Sequence, residues 1–164
     1  MLNKQIFIIM GVSGCGKSAV AEALGKTLGI EYQDADWFHP QTNKEKMRRG
    51  IPLTDEDRKP WLESLHQLIV ASLQADRPLI LACSALKAAY REILVNPEDP
   101  AVFIYLRATP EIIASRLAAR AHEYMNPALL ESQLSTLEEP EGALTVDADR
   151  DLAEVVREIV ESLS

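Results

Sequence analysis

The sequence is poor in several things, and each shortage closes off a class of function. Only two of its 164 residues are cysteines, Cys15 and Cys83. A disulfide framework is therefore excluded, and a reducing compartment fits. Positive charge is scarce: 17 Lys and Arg face 25 Asp and Glu, for a net charge of −8. A broad nucleic-acid surface needs a basic face, so that class is excluded. An anionic small substrate is not, because local charge decides that. No apolar run approaches the ~20 residues that span a bilayer. No leader-like pattern precedes the first apolar run, and a cytoplasmic location is expected. There is no internal repeat and no low-complexity tract. What remains is 47% hydrophobic and 26% charged, a composition that suits one compact domain over 1–164 with a full core.

What is present is organised around Gly11-Val12-Ser13-Gly14-Cys15-Gly16-Lys17-Ser18. The pattern is Gly, four free positions, Gly, Lys, Ser. It follows the apolar run Ile6-Phe7-Ile8-Ile9-Met10 and precedes an apolar-periodic segment, Ala19 to Leu28. Strand, glycine-rich loop and helix form the context of a phosphate-binding loop. Glycines let the backbone curl so that successive N–H groups face an anion. The helix start adds the positive end of its dipole. Lys17 can reach the β- and γ-phosphates, and the Ser18 hydroxyl can ligate Mg²⁺. Cys15 reads as a small residue that fits the loop.

The rest of the chain alternates strand and helix signals. Strands are expected at 30–33, 79–83, 101–106 and 144–146. Helices are expected at 41–49, from Thr54 to about Gln74, at 85–94 with Ser84 as its cap, from Thr109 to about Arg120, at 128–137 and at 151–163. Thr54-Asp55-Glu56-Asp57 reads as a cap with acids in the first turn. Trp61, Leu62, Leu65, Leu68, Ile69 and Leu73 keep helical spacing behind it. This alternation predicts a five-stranded parallel sheet with helices on both faces, the three-layer α/β fold of phosphate-loop proteins. A helical substrate-binding segment at about 37–62 and a small lid at about 117–137 would complete it. Ligands in such sheets gather at the carboxyl ends of strands. The residues to read are therefore 11–18, Asp34 to His39, Ser84 to Lys87, and Arg107.

Three functions share such a loop: a small-molecule kinase, a GTPase-type switch, and a nucleotide-binding module without transfer. The switch should carry Asn-Lys-x-Asp, but the one Asn-Lys here runs Asn43-Lys44-Glu45-Lys46. Motor ATPases usually end a core strand in an acid; this chain has Cys83-Ser84 there. Its acids leave strand two instead, as Asp34 and Asp36. At i and i+2 both carboxylates can point toward the loop. One can support a metal while the other orients an acceptor hydroxyl, a division that suits a kinase. Basic groups flank this region. Arg48, Arg49 and Arg58 surround Leu53-Thr54-Asp55; Lys87 and Arg91 share a helix face, as do Arg116 and Arg120. The last pair reads as a lid that closes over the transferred phosphate.

The motifs together resemble the bacterial gluconokinases, ATP:D-gluconate 6-phosphotransferases of adenylate-kinase-like fold. The resemblance is carried by Gly11–Ser18, Asp34-Ala35-Asp36 with His39-Pro40, and Asn43 with Lys46-Met47. It continues through Gly50–Leu62, Cys83–Lys87 with Tyr90-Arg91, and Gln133 with Leu137-Glu138 and Pro140. Shikimate kinases share the Asp-x-Asp but carry a triple-glycine turn where this chain has Ser84-Ala85-Leu86-Lys87. The sequence departs from the family at Ala121-His122-Glu123-Tyr124-Met125 and at Val95. The resemblance implies transfer from Mg²⁺–ATP to the 6-hydroxyl of D-gluconate, and a homodimer. Lys17, Asp36, Arg116 and Arg120 would be catalytic. The nucleotide would lie on Gly11 to Ser18, with the metal on Ser18 and, through water, on Asp34. A sugar acid brings a carboxylate and many hydroxyls, which call for cations and for Asp and His. Asp36, His39, Lys46, Arg58, Lys87 and Arg91 supply that mixture. The alternatives are a shikimate-kinase-like enzyme of another hydroxy acid and a binding module without transfer.

Overall fold

The computed structural model describes residues 4–118 and 129–164. Five strands form its centre: β1 (Ile6–Met10), β2 (Glu31–Asp34), β3 (Leu79–Ala82), β4 (Ala101–Arg107) and β5 (Leu144–Asp147). All pairings are parallel and the order is β2-β3-β1-β4-β5. In register, Ile8 faces Leu81 on one side and Phe103 on the other. β1 is buried throughout, as a central parallel strand covered on both faces must be.

The period of two along β1 splits the core. Ile6, Ile8 and Met10 face one layer, where α3 (Asp55–Gln74), α4 (Ala88–Leu94) and α5 (Pro110–Ala118) contribute Trp61, Leu65, Ile69, Tyr90, Leu94, Ile113 and Leu117. Phe7 and Ile9 face the other, where α1 (Lys17–Leu28) and α7 (Leu152–Leu163) contribute Val20, Leu24, Val155 and Ile159. Two further helices, α2 (Gln41–Arg48) and α6 (Leu129–Thr136), flank the carboxyl ends of the strands. Among the described residues no helix is long and apolar enough to cross a membrane.

The chain leaves β1 toward β2 and leaves β3 toward β4, so the connections after the two neighbouring strands diverge. A crevice opens at that switch point. The phosphate loop fills one side of it and residues 84–87 the other. Here the structure corrects one expectation. The fourth helix does not begin at Ala85 under a Ser84 cap. It begins at Ala88, with Lys87 as cap residue and no side-chain cap bond. Ala85 takes φ 46°, a left-handed conformation that ends any helix there. Residues 84–86 instead offer carbonyls outward: Ser84 O accepts from Gly11 N–H (3.3 Å) and Leu86 O from Glu138 N–H (2.7 Å).

The start of α3 follows from local chemistry. Asp57 N–H donates to Thr54 Oγ1 (3.0 Å) and Thr54 N–H donates to Asp57 Oδ2 (2.9 Å). This reciprocal cap satisfies two of the donors a helix start leaves open. A turn of 3-10 helix, Ala35–Phe38, joins β2 to the segment before α2, capped by the Asp34 carboxylate. The sequence reading missed this turn. It matters because it aims Asp36. Much of the expected lid falls on residues 119–128, outside the described residues.

Candidate active site

Gly11 to Ser18 wrap the carboxyl end of β1. A Cβ on Gly14 would stand 3.0 Å from both Ile113 Cγ2 and Leu117 Cγ, at φ 86°. Glycine there lets α5 press on the loop. Among the described residues, the backbone N–H groups of Gly14, Gly16, Lys17 and Ser18 have no intramolecular partner. Unpaired amides at a helix start form a cradle for an anion. Lys17 Nζ folds over this cradle and donates to Val12 O (3.1 Å). The loop therefore fits a polyphosphate by its own hydrogen-bond demand.

Beside the cradle, Ser18 Oγ donates to Asp34 Oδ2 (2.5 Å). Asp34 Oδ1 accepts from Asp36 N–H (2.9 Å), which holds the carboxylate in plane. Two hard oxygens on rigid elements suit Mg²⁺, which takes few protein ligands and fills its shell with water and phosphate. No group of three or more His, Cys, Asp or Glu stands ready to hold an ion among the described residues.

Between the cradle, the 3-10 turn and α3 lies a cavity walled by Lys17, Asp36, His39, Arg58, Trp61 and Gln133, among others. Asp36 is exposed at the edge of this cavity, and the protein atoms crowded around it weigh against its charged form. Its carboxyl is pushed up to about 6, by desolvation first and by Asp34 next, against lowering by Lys17 and Lys44. A carboxylate so raised is a better proton acceptor near neutral pH.

His39 is buried and stacks on Trp61, with ring centroids 4.2 Å apart and planes 13° from parallel. Burial, then the charges of Arg58 and Lys44, lower it to about 4, so it is neutral at working pH. Its tautomer follows from its neighbour. Asn43 Nδ2 must donate to the Asp57 carbonyl (2.8 Å), and the same nitrogen faces His39 Nδ1 at 3.2 Å. Nδ1 therefore accepts, and the ring proton sits on Nε2. His39 is a neutral donor in the cavity wall. Trp61 Nε1 donates to Ala35 O (2.7 Å), which ties α3 to the 3-10 turn.

Not every predicted residue joins this cavity. Lys17, Asp36, His39 and Arg58 do. Lys46 pairs with Asp57 at 2.8 Å, and Lys87 with Asp55 at 3.2 Å. Arg91 donates to Ala85 O (2.6 Å) and Glu138 O (3.0 Å). In the structure these three make their polar contacts with the elements around the cavity. Arg116 donates to Cys15 O (3.2 Å) and Ala148 O (2.6 Å). It stands against the phosphate loop and the chain after β5, and does not line the cavity that holds Asp36. Arg120 lies outside the described residues. Arg116 also lines a second, mostly apolar cavity of about 330 Å³, with Gly14–Gly16, Val20, Arg150 and Leu152. A larger cleft of about 650 Å³ lies between α4 and residues 138–143, away from the phosphate loop.

Four residues that help to carry the family resemblance in the sequence gain a part in the site only in the structure. Gln133 Oε1 accepts from Ser13 N–H (2.7 Å), which brings α6 to the phosphate loop. Asn43, Trp61 and Tyr90 orient His39, the 3-10 turn and Arg58. All are uncharged, and spacing alone marks them as core or surface.

Residues 6–140 match a family described as an AAA domain. The chain is 41% identical over 164 residues to the thermoresistant gluconokinase of Escherichia coli (strain K12), covering 97% of this chain and 93% of that protein. A solved gluconokinase from Sinorhizobium meliloti 1021 superposes with a TM-score of 0.84 at 40% identity, covering 96% and 90% of the two chains. A solved sugar kinase from Janibacter sp. HTCC2649 gives a TM-score of 0.90 at 38% identity, covering 98% and 94%.

Proposed function

The chain belongs to the gluconokinase family, and we propose that it transfers the γ-phosphoryl group of ATP to the 6-hydroxyl of D-gluconate. One observation carries the reading beyond family membership: a single cavity joins the phosphate-loop Lys17, the raised carboxyl of Asp36 and the guanidinium of Arg58. Those are the groups that an anionic, polyhydroxy acceptor needs.

In this reading the free amides of Gly14, Gly16, Lys17 and Ser18 hold the phosphates, and Lys17 offsets charge on the β- and γ-oxygens. Ser18 and Asp34, the latter through water, would hold Mg²⁺, which when bound neutralises charge on the phosphates. Asp36 orients the acceptor hydroxyl and takes its proton on a carboxylate oxygen. His39 Nε2–H donates to a hydroxyl of the acid, and Arg58 meets its carboxylate. The apolar cavity beside Arg116 and Leu152 supports a place for the adenine. Arg116 adds positive charge near the loop. Arg120, as the second lid arginine, the lid itself, the homodimer and a cytoplasmic setting rest on the family resemblance.

The test is a coupled ADP-release assay with Mg²⁺–ATP against D-gluconate, other aldonates, shikimate, glucose and AMP. Turnover of gluconate without turnover of glucose is expected. Glucose turned over as well as gluconate would refute the role of Arg58, and ATP binding without any product would leave a nucleotide-binding module. Light scattering checks the dimer.

A further inference from the structure

Arg58 owes its position to one neighbour that no charge pattern marks. Its NH1 donates to the Tyr90 hydroxyl (2.8 Å), and its guanidinium lies 5.3 Å from the Tyr90 ring centroid. The same hydroxyl donates to Asp55 Oδ1 (2.5 Å). The directions are forced. An ionised carboxylate only accepts and a guanidinium only donates, so the single tyrosine proton goes to Asp55 and a lone pair receives Arg58. Asp55 in turn accepts from Lys87 Nζ (3.2 Å), so its charge is offset by Lys87. Among the described residues no carboxylate forms an ion pair with Arg58. Arg58 is half-buried at the cavity wall and Tyr90 is buried.

We propose that Tyr90 is a positioning residue that sets substrate specificity: its hydroxyl holds Arg58 as a neutral acceptor and leaves the guanidinium without a direct carboxylate partner, open to the carboxylate of the acceptor. This rests on the functional reading above. A carboxylate in place of the hydroxyl would hold Arg58 as firmly but cancel its charge, and a substrate carboxylate would have to displace it. A phenol supplies the geometry without the cancellation. Asp55 keeps the phenol's proton turned away from Arg58, and Lys87 keeps Asp55 from drawing Arg58 off. The Tyr90 ring adds a cation–π contact that does not consume the charge. Lys87, which the sequence places in the acceptor site, then acts through Asp55 and Tyr90.

The experiment is a double-mutant cycle in steady-state kinetics, with wild type, Tyr90→Phe, Arg58→Ala and the double variant, gluconate and ATP each varied. Tyr90→Phe removes only the hydroxyl. It should raise KM for gluconate about tenfold, as expected for a lost hydrogen bond to a charged group, with kcat and KM for ATP changed by less than about twofold. On the Arg58→Ala background the same change should add less than about twofold, because nothing is left to position. Asp55→Asn still accepts the tyrosine proton and should keep KM for gluconate within about threefold of wild type. An unchanged KM in Tyr90→Phe would overturn the proposal. So would an equal rise on the Arg58→Ala background, or a rise in both KM values, which marks a merely structural role. Should Tyr90→Phe not fold, Asp55→Leu, which leaves the phenol proton free to turn toward Arg58, must raise KM for gluconate alone or the proposal fails. Absence of gluconate turnover by the wild type is a different result: it refutes the functional reading, and the proposal with it.

Discussion

The raised carboxyl of Asp36 makes a prediction whose size comes from the structure. With its proton released at about 6, Asp36 would be only about one-tenth ionised at pH 5 and almost fully ionised at pH 8. If Asp36 must accept the hydroxyl proton, kcat/KM for gluconate should fall about tenfold between pH 8 and pH 5. An ordinary aspartate, at 3.8, would leave the profile nearly flat over that range. The causes can be checked separately. Lys44 lowers the carboxyl, so Lys44→Met should move the acid limb to higher pH. Asp34 raises it, so Asp34→Asn should move the limb to lower pH even as it slows the reaction. Stability carries the opposite sign from activity. A carboxyl raised in the folded state favours folding most when protonated, below the unfolded value of 3.8, and that contribution is lost as pH rises through about 6. Asp36→Asn, neutral at every pH, should therefore raise Tm relative to wild type at pH 8 and not at pH 4, while abolishing most turnover. The assay is coupled ADP release at saturating Mg²⁺–ATP with coupling enzymes in excess at each pH. An acid limb that persists unchanged in the residual activity of Asp36→Asn would refute the reasoning, because the limb would then belong to the substrates.

Lys17→Ala should lower kcat by a factor on the order of 10²–10⁴, the usual cost of an electrostatic group on the transferring phosphate; a loss under about tenfold would remove Lys17 from the chemistry. Gly14→Ala puts a methyl group 3.0 Å from Ile113 Cγ2 and Leu117 Cγ at φ 86°, so it should cost about 1–3 kcal/mol in urea unfolding and weaken ATP binding. An unchanged midpoint would show that α5 does not press on the loop. Thr54→Ala removes one half of the cap on α3 and should cost about 1 kcal/mol, with KM for ATP unaltered. A change in KM for ATP would mean that α3 reaches the nucleotide.

The parts of the site that lie close in sequence were legible in it. The phosphate loop, the Asp34–Asp36 pair and the Thr54 cap each depend on residues within eight positions of one another, so the spacing carries the geometry. The sheet followed from alternation, since apolar runs of strand length between helical segments leave few topologies. The start of α4 is not legible in the sequence, because Ser84 is a good cap in isolation, while the crevice needs an irregular turn at 84–87 that only the packing of Gly11 and Glu138 reveals.

Charge was the poorer guide. Arg58, Lys46, Lys87 and Arg91 look equivalent as cations near an anionic site, and nothing in their spacing separates them. The fold separates them by supplying acceptors: Asp57 takes Lys46, Asp55 takes Lys87, two carbonyls take Arg91, and Arg58 alone of these four is left facing the cavity, with a phenol behind it. Which acceptor holds each cation is set by the fold, and those acceptors stand 6 to 47 positions away along the chain. The tautomer of His39 has the same origin, in an asparagine whose other partner lies 14 positions further on. The sequence by itself determined the sheet, the phosphate cradle and the family, because these rest on local spacing and hydrophobic period. The tertiary structure decided which charges remain unspent, because hydrogen bonding and desolvation act only between groups that folding brings together.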